Sequence, residues 1–243
     1  MRFKIFLRSF FIQTLWNFQT MQALGFLFVI KPFLDFLYKD DERKKAYLRH
    51  MRFFNTHPYF ASFIVGITMR KEEEYKEKRE EKILKEIENW KLNVAGPLAA
   101  LGDSLIWSGL RPFIGVISVF LFFLIEDKKE YLFLVPLLFF IFYNAVHIFV
   151  RFKGIFKGYE LKERIFEYLE RLRLKEIGRY MRLFGVVFSF LLFLYLYFSP
   201  PIKIFSFINF VLFVILIYLA RKLSVEVIFY LLVIAGYLIG IFT

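Results

Sequence analysis

The sequence contains no cysteine and only three histidines. The lack of cysteine excludes disulfides, thiol catalysis and thiolate metal sites, and His50, His57 and His147 are too scattered to indicate a metal site. A phosphate-binding loop and a nucleophile constellation are also missing. We therefore expect no metal, no cofactor and no enzymatic activity. The weakest alternative is an intramembrane enzyme that uses His57 and Asp103 as an acid–base pair.

Acidic residues are also scarce, because 22 Asp or Glu stand against 34 Lys or Arg and leave a net charge of +12. That excess alone would fit a nucleic-acid binder, but the charges lie in blocks between apolar runs, as the loop charges of membrane proteins do. Hydrophobic residues make up 58% of the chain, and the mean hydropathy is +0.53, above the usual range of soluble domains. The composition predicts an integral membrane protein without a nucleic-acid partner.

The second half of the chain, 126–243, is typical of full membrane spans. The run "YLFLVPLLFFIFYNAVHIFV" (131–150) carries no charge and is long enough to cross a hydrocarbon layer of roughly 30 Å as a helix. The segment 151–182 holds ten Lys or Arg and five Glu, so the positive-inside rule predicts that it is cytoplasmic. We favour an amphipathic helix on the inner leaflet there over a docking surface for a soluble partner. Further spans are predicted at about 183–199, 203–220 and 226–243, with 126–130, 199–201 and Thr243 outside and 220–222 inside.

The first part, 1–125, is less regular, and we expect it to hold the functional site. Residues 9–30 are uncharged, and Gln13, Asn17 and Thr20 recur at helical spacing, which predicts one helix with a polar face. Such a face must meet other polar groups or water, because an unpaired polar group in hydrocarbon costs several kcal/mol.

Two further segments of this part are predicted from their charge pattern. The apolar run 58–69 is too short to span a membrane and indicates a half-helix or a re-entrant hairpin. The charged stretch 70–91 predicts a solvated helix, with Glu72 and Lys76 as an i,i+4 pair and a narrow apolar seam formed by Ile83, Ile87 and Trp90.

The segment 92–125 is interrupted by glycine and proline, and we expect it to be broken at Gly96, Pro97, Gly102, Gly109 and Pro112. It also carries Asp103 and Arg111 at membrane depth, which is costly for a charged side chain. The two residues form either a structural ion pair or part of a functional site. Two interrupted segments flanked by full spans are typical of a transporter's substrate site.

The turn "FFNTHPYF" (53–60) carries the other candidate residues. Asn55 or Thr56 before Pro58 could cap a helix, but capping does not explain the imidazole of His57. Asn and His side chains both donate and accept hydrogen bonds, as a hydroxyl-rich ligand requires. Trp16 and Trp107 could stack on a sugar ring or pack structurally, and Asn144 and His147 could line the same path or bond between helices.

Four stretches closely resemble one protein family. They are "FLRSFFIQTLWNFQTMQALGF", "RHMRFFNTHPYFASFIVGITMRKEE", "AGPLAALGDSLIWSGLRPFIG" and "FYNAVHIFVRFKGIFKGY", in order over roughly residues 7–160. They resemble the IID component of mannose-family sugar phosphotransferase systems. Ala95 and Ala100 depart from the family pattern, where Met and Gly are usual, and we expect them to stiffen the loop.

The resemblance implies a membrane complex with a IIC protein. The two subunits translocate a hexose, which soluble IIA and IIB domains phosphorylate from phosphoenolpyruvate through histidine carriers, so the phosphoryl-carrying residues lie on other subunits. The family's motifs fall on Trp16, Asn17, Met21, Gln22, Leu24, Gly25 and Phe26, on Phe53 to Pro58, and on Gly96 to Asp103.

Together, the irregular segments and the resemblance predict an all-α transport subunit. We expect a multi-pass protein of the cytoplasmic membrane, surrounded by lipid, that works by alternating access in a higher oligomer of the IIC–IID pair. The alternative is a scaffold or receptor that supports its partner without contacting substrate. The predicted substrate-binding residues are Trp16, Asn17, Gln22, Asn55, Thr56, His57, Asp103, Ser104 and Trp107, supported structurally by Pro58, Gly96, Pro97, Gly102 and Arg111.

Overall fold

The computed structural model describes residues 1–198 and the single positions 211, 214, 215, 218 and 227. Within these residues the backbone is helical and forms no named strand, which confirms the all-α prediction. The spans predicted at 203–220 and 226–243 lie almost wholly outside the described residues. The helices are α1 (Arg2–Ser9), α2 (Ala23–Leu37), α3 (Asp40–His50), α4 (Ala61–Lys78), α5 (Glu81–Gly102), α6 (Arg111–Ile125), α7 (Leu134–Leu161), α8 (Ile165–Arg171) and α9 (Leu174–Phe198), with a π-helical segment at Asp103–Leu110 and short 3₁₀ turns at Lys129–Tyr131 and Lys162–Arg164.

Two helical stretches of the described chain are long and apolar enough to cross a membrane by length and composition, Glu81–Ile125 and Lys129–Tyr195. The chain divides into two compact units, Met1–Val186 and Val187–Thr243, and the sites described below lie in the first. The functional division at residue 125 stays a prediction.

The segment 9–30 does not form the single polar-faced helix that its spacing predicts. Two helices are joined there by a turn, in which Met21 has a φ of 55° and its backbone bridges to Asn17 and to Phe54. The prediction was wrong because the Asn17 side chain competes with the helix. Its Oδ1 accepts a hydrogen bond from the backbone N–H of Thr20 at 2.8 Å, which turns the chain back toward Phe54.

Most of the apolar run 58–69 lies in a longer helix, so it is not a separate short helix; that it enters the membrane only part of the way stays a prediction. α4 continues to Lys78, and every residue of Ala61–Met69 is buried. A helix that is apolar on all sides needs cover on all sides, and α4 packs against α5 and α7. The approach to α7 is close, since a Cβ on Gly66 would lie 2.4 Å from the Ile155 carbonyl oxygen.

The break predicted at Gly96 and Pro97 is also wrong. α5 runs through both residues to Gly102 and passes through the π-helical segment into α6. A proline removes one helical hydrogen bond, and membrane helices tolerate that loss where neighbours satisfy the freed groups. The backbone changes to a π-helix at Asp103–Leu110, directly after Gly102, where a break was also predicted. π-helical turns are rare overall and occur often at functional sites.

The charged stretch 70–91 is not one solvated helix. Arg79, with a φ of 61°, ends α4, and a new helix follows. Glu72 is fully buried, whereas the sequence predicts an exposed pair with Lys76; Lys76 pairs with Glu42 at 2.9 Å instead. Helical spacing predicts pairs on an isolated helix, but here α3 supplies other partners.

The segment 151–182 is shared among α7, α8 and α9, so it does not form the single amphipathic helix that we favoured. Lys162 and Arg173 interrupt it with positive φ values of 50° and 49°. Its position on the cytoplasmic side stays a prediction.

Candidate functional site

Gln22 and Thr56 join two of the motif segments. The Gln22 Nε2 donates to the Thr56 carbonyl at 2.7 Å, and its Oε1 accepts from the Thr56 backbone N–H at 3.0 Å. The Thr56 hydroxyl donates to the Ala95 carbonyl on α5 at 2.8 Å. These groups are buried and satisfied within the chain, so they position the turn. Substrate contact by either residue stays a prediction.

Neither Asn55 nor Thr56 caps α4, which corrects the capping alternative. The helix begins at Ala61 after an N-cap residue, Phe60, that makes no side-chain capping bond. The Thr56 hydroxyl is already bonded to α5, and Asn55 is exposed. Pro58 is buried in the turn before the helix.

His57 lies at the centre of the turn, 1% exposed, against the end of α5. A Cβ on Gly102 would lie 2.2 Å from the His57 Cγ, so only glycine leaves room for the imidazole. The ring of Trp107, on the π-helical segment, lies 4.8 Å from the His57 ring between centroids. The structure therefore brings His57, Gly102 and Trp107 together, as the sequence predicts.

The hydrogen bonds of His57 define its tautomer. The backbone N–H of Tyr59 donates to the His57 Nδ1 at 3.3 Å, so in the neutral imidazole the proton sits on Nε2. That Nε2 is buried and has no hydrogen-bond partner among the described residues. A buried unpartnered donor is costly, and it is the feature of this site that indicates a ligand.

A further group of polar aromatic residues surrounds Tyr59. The Tyr59 hydroxyl lies 3.0 Å from the Tyr143 hydroxyl, and the Tyr59 ring stacks on the ring of His147 at 4.2 Å. Arg151 donates from Nε to the His147 Nε2 at 2.7 Å. We call His57, Tyr59, Trp107, Tyr143, His147 and Arg151 the His57 cluster.

The residues around the π-helical segment are placed differently from the prediction. Asp103 and Arg111 are both exposed and form no ion pair with each other or with any other described residue, so the structural pairing is not observed. The chain from Asp103 to Leu110 is a continuous π-helical segment that leads into α6 at Arg111. Ser104 binds Arg182, whose Nη1 donates to its carbonyl at 2.8 Å and lies 3.1 Å from its hydroxyl.

Three further predicted site residues, Trp16, Asn17 and Asn55, have contacts that do not involve His57. Trp16 is 42% exposed and packs edge-on against Phe18 at 4.8 Å. Asn17 bonds within its own turn, and Asn55 is exposed. Substrate binding by these three residues stays a prediction, without support from their contacts in this chain.

Sequence reasoning missed Tyr59, Tyr143 and Arg151 as members of the site. Tyr59 stands inside the quoted turn, two residues after His57. Arg151 follows His147 by four residues and Asn144 by seven, which places all three on one helical face. The signal was present, but the positive charge of Arg151 was assigned to the cytoplasmic segment.

The His57 cluster offers an imidazole N–H, an indole face and two phenol hydroxyls. These groups suit an uncharged ligand with several hydroxyls, because oxygen accepts from the N–H and a sugar's apolar face stacks on indole. Within the described residues no group of three His, Asp or Glu could hold a metal ion.

Known proteins share this chain's sequence over much of its length. The family model described as PTS system mannose/fructose/sorbose family IID component matches residues 1–204. The mannose-specific EIID component of Escherichia coli K12 is 38% identical over 157 residues, 64% of this chain and 53% of that protein. The fructose permease IID component of Bacillus subtilis 168 is 30% identical over 185 residues, 76% of this chain and 65% of that protein. The chain thus spans about half the length of the E. coli relative.

Two solved structures share the fold. A chain of the cryo-EM structure of the mannose transporter ManYZ with microcin E492 aligns with a TM-score of 0.61 and 27% identity, over 98% of this chain and 96% of that one. A second chain, described only as a membrane protein, gives a TM-score of 0.71 and 26% identity over the same shares. This chain is an all-α membrane protein and belongs to the IID components of the mannose/fructose/sorbose family of phosphotransferase systems.

Proposed function

We propose that this chain is a translocation subunit for a hexose, acting with a IIC membrane partner in the cytoplasmic membrane. Soluble IIA and IIB proteins phosphorylate the sugar, so the chain itself transfers no phosphoryl group. The names of its relatives support a sugar of the mannose, fructose or sorbose type. The chain crosses the membrane several times, and the complex is a higher oligomer of the IIC–IID pair.

The observation that carries the proposal is the buried Nε2–H of His57, which has no acceptor among the described residues. A sugar hydroxyl supplies an acceptor oxygen, and the neighbouring Trp107 ring offers a stacking face. Trp107 is 46% exposed, and in this proposal the sugar reaches His57 beside it. Movement of the π-helical segment would open and close this path during alternating access.

The proposal is tested by uptake in vesicles that contain the reconstituted IIC–IID complex, with soluble phosphocarrier proteins and labelled mannose, fructose or sorbose. His57→Phe removes the N–H and keeps a ring against Trp107. The loss of one hydrogen bond of about 1.4 kcal/mol raises KM about tenfold. Recovery of the complex is the control, and we expect it to be unchanged.

Two outcomes would count against this role. An unchanged KM for the transported sugar removes His57 from the binding site. Poor recovery of the complex with an unchanged KM in what is recovered favours the scaffold alternative, in which the chain supports its partner without touching substrate.

A further inference from the structure

Arg151 is a buried cation without an anionic partner among the described residues. Arg151 is 4% exposed, and its Nη1 donates a hydrogen bond to the carbonyl of Ser9, the last residue of α1. Burial of a charge is costly unless it is paired. A guanidinium retained at such a cost within a candidate membrane-spanning stretch has a specific role.

The first effect of Arg151 is on His147. Because the Arg151 Nε donates to the His147 Nε2, the neutral imidazole carries its proton on Nδ1, which lies 3.4 Å from the Asn144 Oδ1. The ring of His147 is thus held from both sides. Its face stacks on Tyr59 with an interplanar angle of 29°.

The second effect is on Tyr59 itself. The Arg151 Cζ lies 5.1 Å from the centre of the Tyr59 ring, within the range of a cation–π contact. Tyr59 is therefore held by the His147 stack, by the Arg151 charge and by the Tyr143 hydroxyl.

Tyr59 in turn determines how His57 presents its proton. The backbone N–H of Tyr59 keeps Nδ1 of His57 as the acceptor, and the Tyr59 ring packs edge-on against the His57 ring at 4.9 Å. A shift of Tyr59 would rotate the imidazole or change its tautomer, and the unpartnered N–H would no longer point to the same place.

We propose that Arg151 is a positioning residue for sugar binding, which links the end of α1 to the His57 N–H through His147 and Tyr59. The proposal rests on the proposed function, because it assigns a cause to the orientation of the same donor. It makes the N-terminal helix, through the Ser9 carbonyl, part of the support of the binding site.

The test uses the reconstituted IIC–IID complex with labelled mannose, fructose and sorbose as probes. In Arg151→Gln the guanidinium is lost, and we expect KM to rise about tenfold, with the maximal rate changed by less than about twofold. Arg151→Lys keeps the charge but cannot donate in two directions as the guanidinium does. Its KM should therefore lie between that of the original protein and that of Arg151→Gln. Lys153→Gln removes the same charge from a partly exposed position on the same helix and is expected to leave KM unchanged.

A double-mutant cycle separates this proposal from the proposed function. If Arg151 acts through His57, Arg151→Gln should change KM by less than about twofold in the His57→Phe background. Additive effects of the two substitutions overturn the proposal, and so does an unchanged KM in Arg151→Gln when His57→Phe alone raises it. In that second case the proposed function stands. If His57→Phe leaves KM unchanged, both proposals fail together.

A folding defect in Arg151→Gln is handled by the milder substitution. If the complex is not recovered with Gln, the cycle is measured with Arg151→Lys, where the cation remains. A variant that lowers recovery alone, with unchanged KM in the recovered complex, shows a purely structural role and overturns the proposal.

Discussion

Two polar clusters of this protein both contain tyrosine, arginine and histidine, and they differ in whether a carboxylate lies among them. We call Tyr38, Arg49, His50 and Glu72 the Glu72 cluster. There the Tyr38 hydroxyl donates to the Glu72 carboxylate at 2.7 Å, Arg49 donates to both carboxylate oxygens at 3.0 and 2.8 Å, and the His50 Nε2 lies 2.8 Å from the same group. In the His57 cluster, Arg151 donates hydrogen bonds to a histidine and to a backbone carbonyl, and it forms no ion pair with a described residue.

The consequence appears at the second nitrogen of each histidine. His50 donates to Glu72 from Nε2, so its Nδ1, which has no partner among the described residues, is a bare lone pair. The His57 Nε2 likewise has no partner there, but it is an N–H donor, and the His57 cluster contains no carboxylate. The Glu72 cluster pairs its charges with each other and joins α2, α3 and α4, whereas the His57 cluster holds a donor that has no acceptor among the described residues.

The largest effect is expected from breaking the Glu72 cluster. Glu72→Ala leaves the Arg49 guanidinium, only 10% exposed, without its fully buried carboxylate partner, and removal of one partner of a buried ion pair costs about 3–5 kcal/mol. The measurement is the thermal unfolding of the detergent-solubilised IIC–IID complex. Glu77→Ala, at an exposed position of the same helix, is the control and should change stability by no more than about 0.5 kcal/mol. Equal losses in the two variants would contradict the structural role of Glu72.

The next effect is a dependence of stability on pH. Burial lowers the pKa of His50 to about 4, against the opposing hydrogen bond to Glu72. Burial raises the pKa of Glu72, but the hydrogen bonds and charges of His50 and Arg49 hold it at about 2. The positive charges of Lys91 and Arg49 also act on His50 and disfavour its protonation.

The sign of this dependence is the same for both groups. The unfolded His50, with the usual pKa of 6.5, binds a proton more readily than the folded one, so stability falls as the pH drops from 6.5 to 4. Glu72 continues the loss from pH 4.5 down to 2. The His50 contribution is on the order of 3 kcal/mol, and His50→Asn should remove the upper part of the pH dependence. If the variant and the original protein lose stability in parallel between pH 6.5 and 4, His50 does not titrate as described.

The same comparison explains how much of the protein could be predicted from sequence. The meeting of His57 with Gly102 and Trp107 was predicted, because short motifs of polar and small residues in apolar surroundings indicate where polar groups converge. The irregularity at Asp103–Leu110 was predicted only in part. A break was expected at Gly102, directly before it, but also at Gly96 and Pro97, where the helix is continuous. That the segment is π-helical was not predicted, because a change of helical hydrogen-bonding pattern leaves no distinct residue signature.

The interactions of Arg49 with Glu72 and of Arg151 with Ser9 were not predicted, for another reason. Glu72 and Arg49 are 23 residues apart in the sequence, and Arg151 and Ser9 are 142 apart. Helical spacing predicts neighbours on one helix, and it carries no information on which other helix lies alongside. The sequence therefore assigned Glu72 and Arg151 to solvated charge runs, although both are buried.

The smallest expected effect is a change in KM when the His57 imidazole is displaced. Gly102→Ala places a Cβ 2.2 Å from the His57 Cγ, so the imidazole must move, and overpacking of this kind costs about 1–3 kcal/mol. Gly96→Ala, six residues earlier on α5, places its Cβ in open space and is the matched control. We expect Gly102→Ala to raise KM for the transported sugar and Gly96→Ala to leave it unchanged. The two variants differ only in what the added methyl group contacts. A rise in KM confined to Gly102→Ala therefore ties sugar binding to the position of His57. Equal KM values in the two variants would show that the imidazole can move without consequence for transport.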